Sequence, residues 1–113
     1  LDVERQDAAA DRLVLDTRDL VVREAWLVEP TGALTPTRFT LGPTLRTLGE
    51  PLTLRVPPGP VGSRLRVRIS YQTRPAASGL QWLEPAQTAG KTDPFLFTQS
   101  QAIHARSWIP LQD

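Results

Sequence analysis

An all-β fold, a twisted and mostly antiparallel sheet or sandwich, is what this 113-residue chain predicts, on three observations. Eleven prolines and seven glycines punctuate it at short intervals. No long segment keeps the 3.6-residue apolar period of a helix. Several short stretches instead alternate apolar and polar residues, the period of two that gives a strand one buried face. The length bounds the chain to one domain with a modest core.

Leu13 and Leu15 alternate with Val14 and Asp16 in a first short strand signal. The stretch Leu20 to Val28 is longer, and strict alternation places Leu20, Val22, Glu24, Trp26 and Val28 on one face. Pro30, Thr31 and Gly32 then turn the chain. Arg38 to Leu41 and Pro51 to Val56 are further short strands, the second with Leu52, Leu54 and Val56 in phase. It must end at Pro57, Pro58 and Pro60, because proline has no N–H to give to a ladder. The clearest alternation follows, with Leu65, Val67, Ile69 and Tyr71 facing inward and Arg64, Arg66, Arg68 and Ser70 outward. Beyond Thr73 charge thins out, and glutamine and threonine enter between aromatic residues. Trp82 reads there as a buried residue on a strand followed by a polar loop. Ala102 to Trp108 can form a helical turn or two before Pro110 stops it.

Thirteen basic residues stand against twelve acidic ones, so no overall charge directs the chain to nucleic acid or to an anionic membrane. The charges are segregated, however. Six acids lie between Leu1 and Leu20, and seven arginines between Arg38 and Arg74 face Glu50 alone. These two faces are expected to meet each other or a neighbouring domain. The arginine strand lacks interleaved aromatic side chains for base stacking and reads as a solvated face. Trp26, Trp82 and Trp108 read as core or interface residues rather than a sugar platform. No apolar run reaches the roughly 18–20 residues of a membrane-crossing helix. Neither nucleic acid nor membrane is an expected partner. The absence of cysteine excludes disulfides and thiolate metal sites, and it leaves localisation open. The chain starts at Leu1 rather than methionine, so its first residue is expected not to be the natural terminus.

His104 is the only histidine, and no HExxH or spaced His/Glu set accompanies it. It reads as a hydrogen-bonded support for a loop beside Arg106. No metal site, nucleophilic triad or phosphate loop can be assembled from these residues. The stretch Leu80-Gln81-Trp82-Leu83, Pro85, Gln87-Thr88, Gly90-Lys91 and Pro94 to Arg106, then Ile109-Pro110 and Gln112-Asp113, occurs in one fixed order over about a third of the chain. It resembles the N-terminal domain of the leukotriene-A(4) hydrolase-type zinc aminopeptidases. Leu15 to Leu20 and Ile69 to Thr73 share the resemblance. Ser100 and Leu111 stand where the family usually has cysteines, and Phe95 where tyrosine is common.

The resemblance implies a saddle-like N-terminal β domain, present here as a single partial domain over 1–113, with the catalytic domain of the same polypeptide absent. It also implies that zinc belongs to that catalytic domain, with no cofactor in this chain, and that the parent enzyme removes N-terminal residues from peptides. Gln99 and Gln101 are then the residues that bind or orient the free amino end of a peptide substrate, and Ala102 shapes the first pocket. On residue chemistry alone, both glutamines serve equally well to satisfy loop backbone groups. If the segment is extended, their spacing of two points both side chains the same way. A chain stopping inside such a domain would leave a sheet edge or an apolar face uncovered. The fragment by itself is expected to hydrolyse nothing. A parent acting as an epoxide hydrolase on a lipid would depend on residues outside this stretch. A stand-alone β-sandwich serving as an interaction or adaptor module is the alternative.

Overall fold

In the computed structural model, which describes residues 1–112, the regular structure of the chain is almost entirely β-strand. In chain order they are β1 (Asp2–Glu4), β2 (Arg12–Thr17), β3 (Leu20–Val28), β4 (Leu34–Pro36), β5 (Phe39–Leu41), β6 (Glu50–Arg55), β7 (Arg64–Thr73), β8 (Leu80–Leu83) and β9 (Phe95–Thr98). One antiparallel sheet has the order β1-β7-β3-β4 and a second the order β2-β6-β5, while β8 and β9 form a separate hairpin. Short 3-10 turns occur at Pro85–Gln87 and Ala105–Ser107.

The two larger sheets face each other across one core. Leu13 and Leu15 of β2 and Leu52 and Leu54 of β6 meet Ala25 of β3 and Val67 of β7. Val3, Val22, Leu27, Phe39, Leu65 and Ile69 pack around them. The alternation in β2, β6 and β7 therefore points inward as the sequence predicts. Pro51 sits opposite Asp16 in the β2–β6 ladder. Asp16 directs its own N–H and C=O away from β6, to Leu111, so the missing proline donor costs no ladder bond.

The inward face of β3 departs from strict alternation. Leu20 and Val22 face the core as expected, but the register slips between Val22 and Glu24, where Val22 opposes Tyr71 and Glu24 opposes Ser70. Arg23 is the extra residue of a β-bulge, and such a residue flips everything after it to the other face. Ala25 and Leu27 thereby become the core residues. Glu24, Trp26 and Val28 move to the outer face, where Trp26 pairs with Arg68 and the guanidinium lies 6.0 Å from the ring centroid. None of the three tryptophans belongs to the core.

The segregated charges do meet each other. Asp2 on β1 accepts a hydrogen bond from Arg66 of β7 at 2.7 Å, and Asp11 pairs with Arg55 at the end of β6. The Arg66 bond holds the Asp2 carboxyl below the usual carboxylate range. Arg64, Arg66 and Arg68 are exposed, although two of them are engaged by Asp2 and Trp26. Among the described residues no helix is long and apolar enough to cross a membrane.

The β8–β9 hairpin stands apart from the sandwich. Its strands pair Leu80 with Thr98, Gln81 with Phe97, Trp82 with Leu96 and Leu83 with Phe95. Trp82 does lie on a strand, but it is 64% exposed rather than buried. The radius of gyration is 16.7 Å, against about 13 Å for a compact domain of this length, which fits a projecting element.

Candidate functional site

The loop that leaves β9 carries Gln99, Gln101 and Ala102, and all three are exposed. Strand β9 ends at Thr98, and residues 101–104 form a turn, so the segment is not extended through both glutamines. The peptide bond between Gln101 and Ala102 is cis. The two side chains accordingly have different surroundings. Gln99 turns its Oε1 back onto the loop and accepts a hydrogen bond from the Gln101 N–H at 3.2 Å. This bond is made to the loop's own backbone. Gln101 makes no side-chain hydrogen bond with any described residue, which leaves both its amide oxygen and its amide nitrogen open to a ligand. Ala102, with a single methyl group, leaves space beside it.

Polar contacts, part of them buried, tie down both the start and the end of the loop. Gly79, just before β8, accepts a hydrogen bond from the Gln99 N–H at 2.9 Å. Its own N–H donates to Ser107 Oγ at 2.7 Å, and that hydroxyl donates onward to the His104 carbonyl at 2.7 Å. Ser107 is fully buried. The fit around Gly79 excludes any side chain: a Cβ there would lie 2.7 Å from the His104 carbonyl oxygen and 2.7 Å from Trp108 Cδ1. His104 does support the loop, with Nδ1 2.8 Å from Ser78 Oγ and its N–H bonded to the Ser100 carbonyl at 3.0 Å. The Trp108 indole donates to Ser100 Oγ at 3.2 Å, so Ser100 is gripped from both its backbone and its hydroxyl.

Arg106 anchors the far side. Its side chain is 1% exposed and pairs through Nη1 with Asp16 Oδ2 at 2.5 Å, while Nε donates to the Ile103 carbonyl at 3.1 Å. The Arg18 N–H bonds to the Arg106 carbonyl at 2.8 Å, and Asp16 and Leu111 exchange backbone bonds at 2.7 and 3.3 Å. Residues 106–111 thus run along the outer edge of β2. Ser78, Gly79 and Ser107 were not singled out in the sequence. Their signal was a Ser-Gly pair immediately before the LQWL strand, which reads as an ordinary turn until its partners some 25–30 positions away are placed.

Among the described residues no group of three or more His, Cys, Asp or Glu side chains could hold a metal ion. A cavity of about 200 Å³ opens beside β1 and β2, with Val3, Leu13, Val56 and Leu65 in its wall, and none of Gln99, Gln101 or Ala102 lines it. The loop is therefore an exposed surface on which the Gln101 amide is uncommitted among the described residues.

No family model matches the chain. It is 46% identical over 101 residues to leucine aminopeptidase 2 of Yarrowia lipolytica, covering 89% of this chain and 15% of that protein. It is 43% identical over 109 residues to leukotriene A-4 hydrolase of Xenopus laevis, covering 96% and 17%. Native yeast LTA4 hydrolase aligns in structure with a TM-score of 0.80 at 29% identity, over 97% of this chain and 16% of that one. The yeast enzyme in complex with bestatin gives 0.77 at 30% identity, over 96% and 16%. The chain spans about a sixth of the length of the relatives it matches.

Proposed function

Because this chain is homologous to one stretch of the leucine aminopeptidase 2 and leukotriene A-4 hydrolase proteins, we propose that it is the substrate-lining N-terminal β domain of a zinc aminopeptidase. In this reading the single domain 1–113 is one part of a longer polypeptide that removes N-terminal residues from peptides. The observation that carries it is Gln101, exposed and uncommitted on a loop whose neighbours are fixed by Gly79, Ser107 and Arg106. A peptide's terminal ammonium needs convergent acceptors, and an amide oxygen supplies one without burying a second full charge. Gln99 acts through Gln101 by holding its N–H, and Ala102 leaves room for the substrate's first side chain.

The described residues offer no zinc ligand set, so the metal and the bond-breaking groups are assigned to the catalytic domain of the same polypeptide. This chain alone then hydrolyses nothing. An adaptor module standing by itself fits less well, since the relatives carry this stretch as about a sixth of their length.

The test is turnover of aminoacyl substrates with a free amine by the full-length polypeptide, wild type against Gln101→Ala. Loss of one hydrogen bond to a charged group, about 1.5–3 kcal/mol, lowers kcat/KM roughly ten- to a hundredfold. Gln99→Ala, which removes only the backbone brace, has the smaller effect. Equal turnover for wild type and Gln101→Ala sinks the reading.

A further inference from the structure

We propose that the outer face of the β2-β6-β5 sheet carries a binding site for a dianionic phosphate group, built on Arg12, Arg38 and Arg55. The site goes beyond the aminopeptidase reading, and none of Gln99, Gln101 or Ala102 lines it. Strand phase sets its geometry. Leu13, Leu52 and Leu54 turn into the core, so Arg12, Thr53 and Arg55 turn outward. Arg12 pairs directly with Arg55 in the β2–β6 ladder. The Arg55 N–H donates to the Arg38 carbonyl at 2.9 Å, which carries the same row one strand further. The guanidinium groups of Arg12, Arg55 and Arg38 therefore spring from adjacent positions of one cross-strand row. The next row supplies the hydroxyls of Thr40 and Thr53, which are partners in the β5–β6 ladder. Arg12, Arg38, Phe39, Thr40, Thr53 and Arg55 together wall a groove of about 280 Å³.

Like charges set directly opposite one another destabilise a sheet, so such a row calls for counter-charge. Among the described residues the fold supplies it once. Asp11 spans two of the arginines, through Oδ2 to Arg55 and through Oδ1 to Arg12 at 3.5 Å. Arg38 makes no ion pair or side-chain hydrogen bond with any described residue, and neither threonine hydroxyl is engaged by one. Three positive charges against one negative leave an excess of two at the groove. That excess matches a phosphate dianion, whose terminal oxygens accept paired N–H donors from guanidinium forks. A carboxylate brings one charge and two oxygens, too few for these donors. The excess is also a point rather than a track. The adjoining row is Val14, Thr53 and Thr40, and the row beyond it holds Asp16 and Pro51. A nucleic-acid strand needs basic residues spaced along its backbone and stacking faces for its bases, and this face provides neither. The groove lies close to the lower bound of about 300 Å³ for small-molecule clefts, so a small phosphate-bearing ligand fits it best.

The experiment is isothermal titration calorimetry of the full-length polypeptide at constant ionic strength, with inorganic phosphate, glycerol phosphate and acetate as probes. Saturable binding of both phosphate probes, and none of acetate, is the expected result. Arg38→Gln weakens that binding roughly tenfold or more, because it removes charge-assisted bonds and leaves Asp11 in place. Arg38→Lys keeps the charge but loses the fork, and its affinity falls between the two. Arg46→Gln, beside the opposite end of β6, leaves the affinity unchanged. A phosphate affinity retained in Arg38→Gln, or lost equally in Arg46→Gln, overturns the site. Acetate binding as tightly as phosphate overturns the dianion, and a short single-stranded oligonucleotide that displaces glycerol phosphate at lower concentration overturns the small ligand. Tighter binding of the ester identifies a phosphorylated small molecule, tighter binding of inorganic phosphate the free ion, and both support the site. Thermal unfolding in phosphate-free buffer guards against a misfolded variant. Arg38→Gln relieves the row of like charges and is expected to be no less stable than wild type, whereas a clear loss assigns Arg38 to the fold and overturns the proposal.

Discussion

Replacing Gly79 by alanine adds one methyl group where the structure has no space for it. The new Cβ would lie 2.7 Å from the His104 carbonyl oxygen, 2.7 Å from Trp108 Cδ1 and 2.8 Å from Ser107 Oγ, each well inside the 3.4 Å at which ordinary contact begins. One of these neighbours is backbone and another an indole ring wedged against Ser100, so the 104–108 segment has to shift as a unit. Overpacking of this kind costs about 1–3 kcal/mol. Lengthening the buried Gly79–Ser107 hydrogen bond adds about 1 kcal/mol, and the stiffer unfolded chain returns about 0.4–1 kcal/mol. The net loss is roughly 1–3.5 kcal/mol, which lowers the midpoint of thermal unfolding by about 4–15 °C. Thermal denaturation followed by tryptophan fluorescence reads it, with Gly90→Ala as the control. At Gly90 the added methyl meets only Thr92 Oγ1, at 3.3 Å, and the expected change stays within about 0.5 kcal/mol. Removing the Ser107 hydroxyl as well does not rescue Gly79→Ala, because the clash with the His104 carbonyl remains. A Gly79→Ala protein as stable as Gly90→Ala refutes this account of how the loop is held.

Ser107→Ala leaves the Gly79 N–H without its buried partner, while the His104 carbonyl keeps the Ser107 N–H, and costs about 1–3 kcal/mol, visible as faster amide exchange at Gly79. The Asp2 carboxyl, whose folded value is lowered by the Arg66 hydrogen bond, contributes stability above its ordinary pH of titration near 4. That contribution fades as pH falls through the lowered value, and Asp2→Asn removes this part of the acid dependence; an NMR titration midpoint at or above 4 for Asp2 contradicts it. Tyr71 is the only tyrosine, so phenolate absorbance reports it alone. Burial raises its pKa, so its midpoint lies above the free value of about 10. The stability linked to the neutral phenol is intact below that free value and is lost as pH rises through the raised one.

The sandwich was legible wherever one face is dry and the other wet. In β7 the inward Leu65, Val67 and Ile69 and the outward arginines keep strict phase from Arg64 to Ile69. The second half of β3 was read on the wrong face because Arg23 looks like any outward residue, and nothing in LVVREAWLV marks the place where the ladder admits an extra one. Strands β1 and β4 are three residues each, too short to show a period, and they exist because β7 and β3 offer edges. Strand β9 gave no alternation, since FLFT is exposed on both faces and period-two reading depends on burial. Within the site, Gln99, Gln101 and Ala102 were found through the resemblance of the whole phrase. The differing surroundings of the two glutamines were invisible, because they follow from the turn at residues 101–104 that separates them. Gly79 and Ser107 were missed because their importance lies in a contact 28 positions apart.

The bond between Gly79 and Gln99 at the foot of the hairpin makes that point a fulcrum. Each arm is four residues, a lever of about 13 Å at the rise of an antiparallel strand. Rocking the hairpin by about 10° carries its tip sideways by roughly 2 Å, while atoms next to the fulcrum barely move. Gln101 lies two residues past the fulcrum, on the short side of the lever. A displacement of an ångström or more at the hairpin's tip therefore reaches Gln101 only as a small fraction of its size.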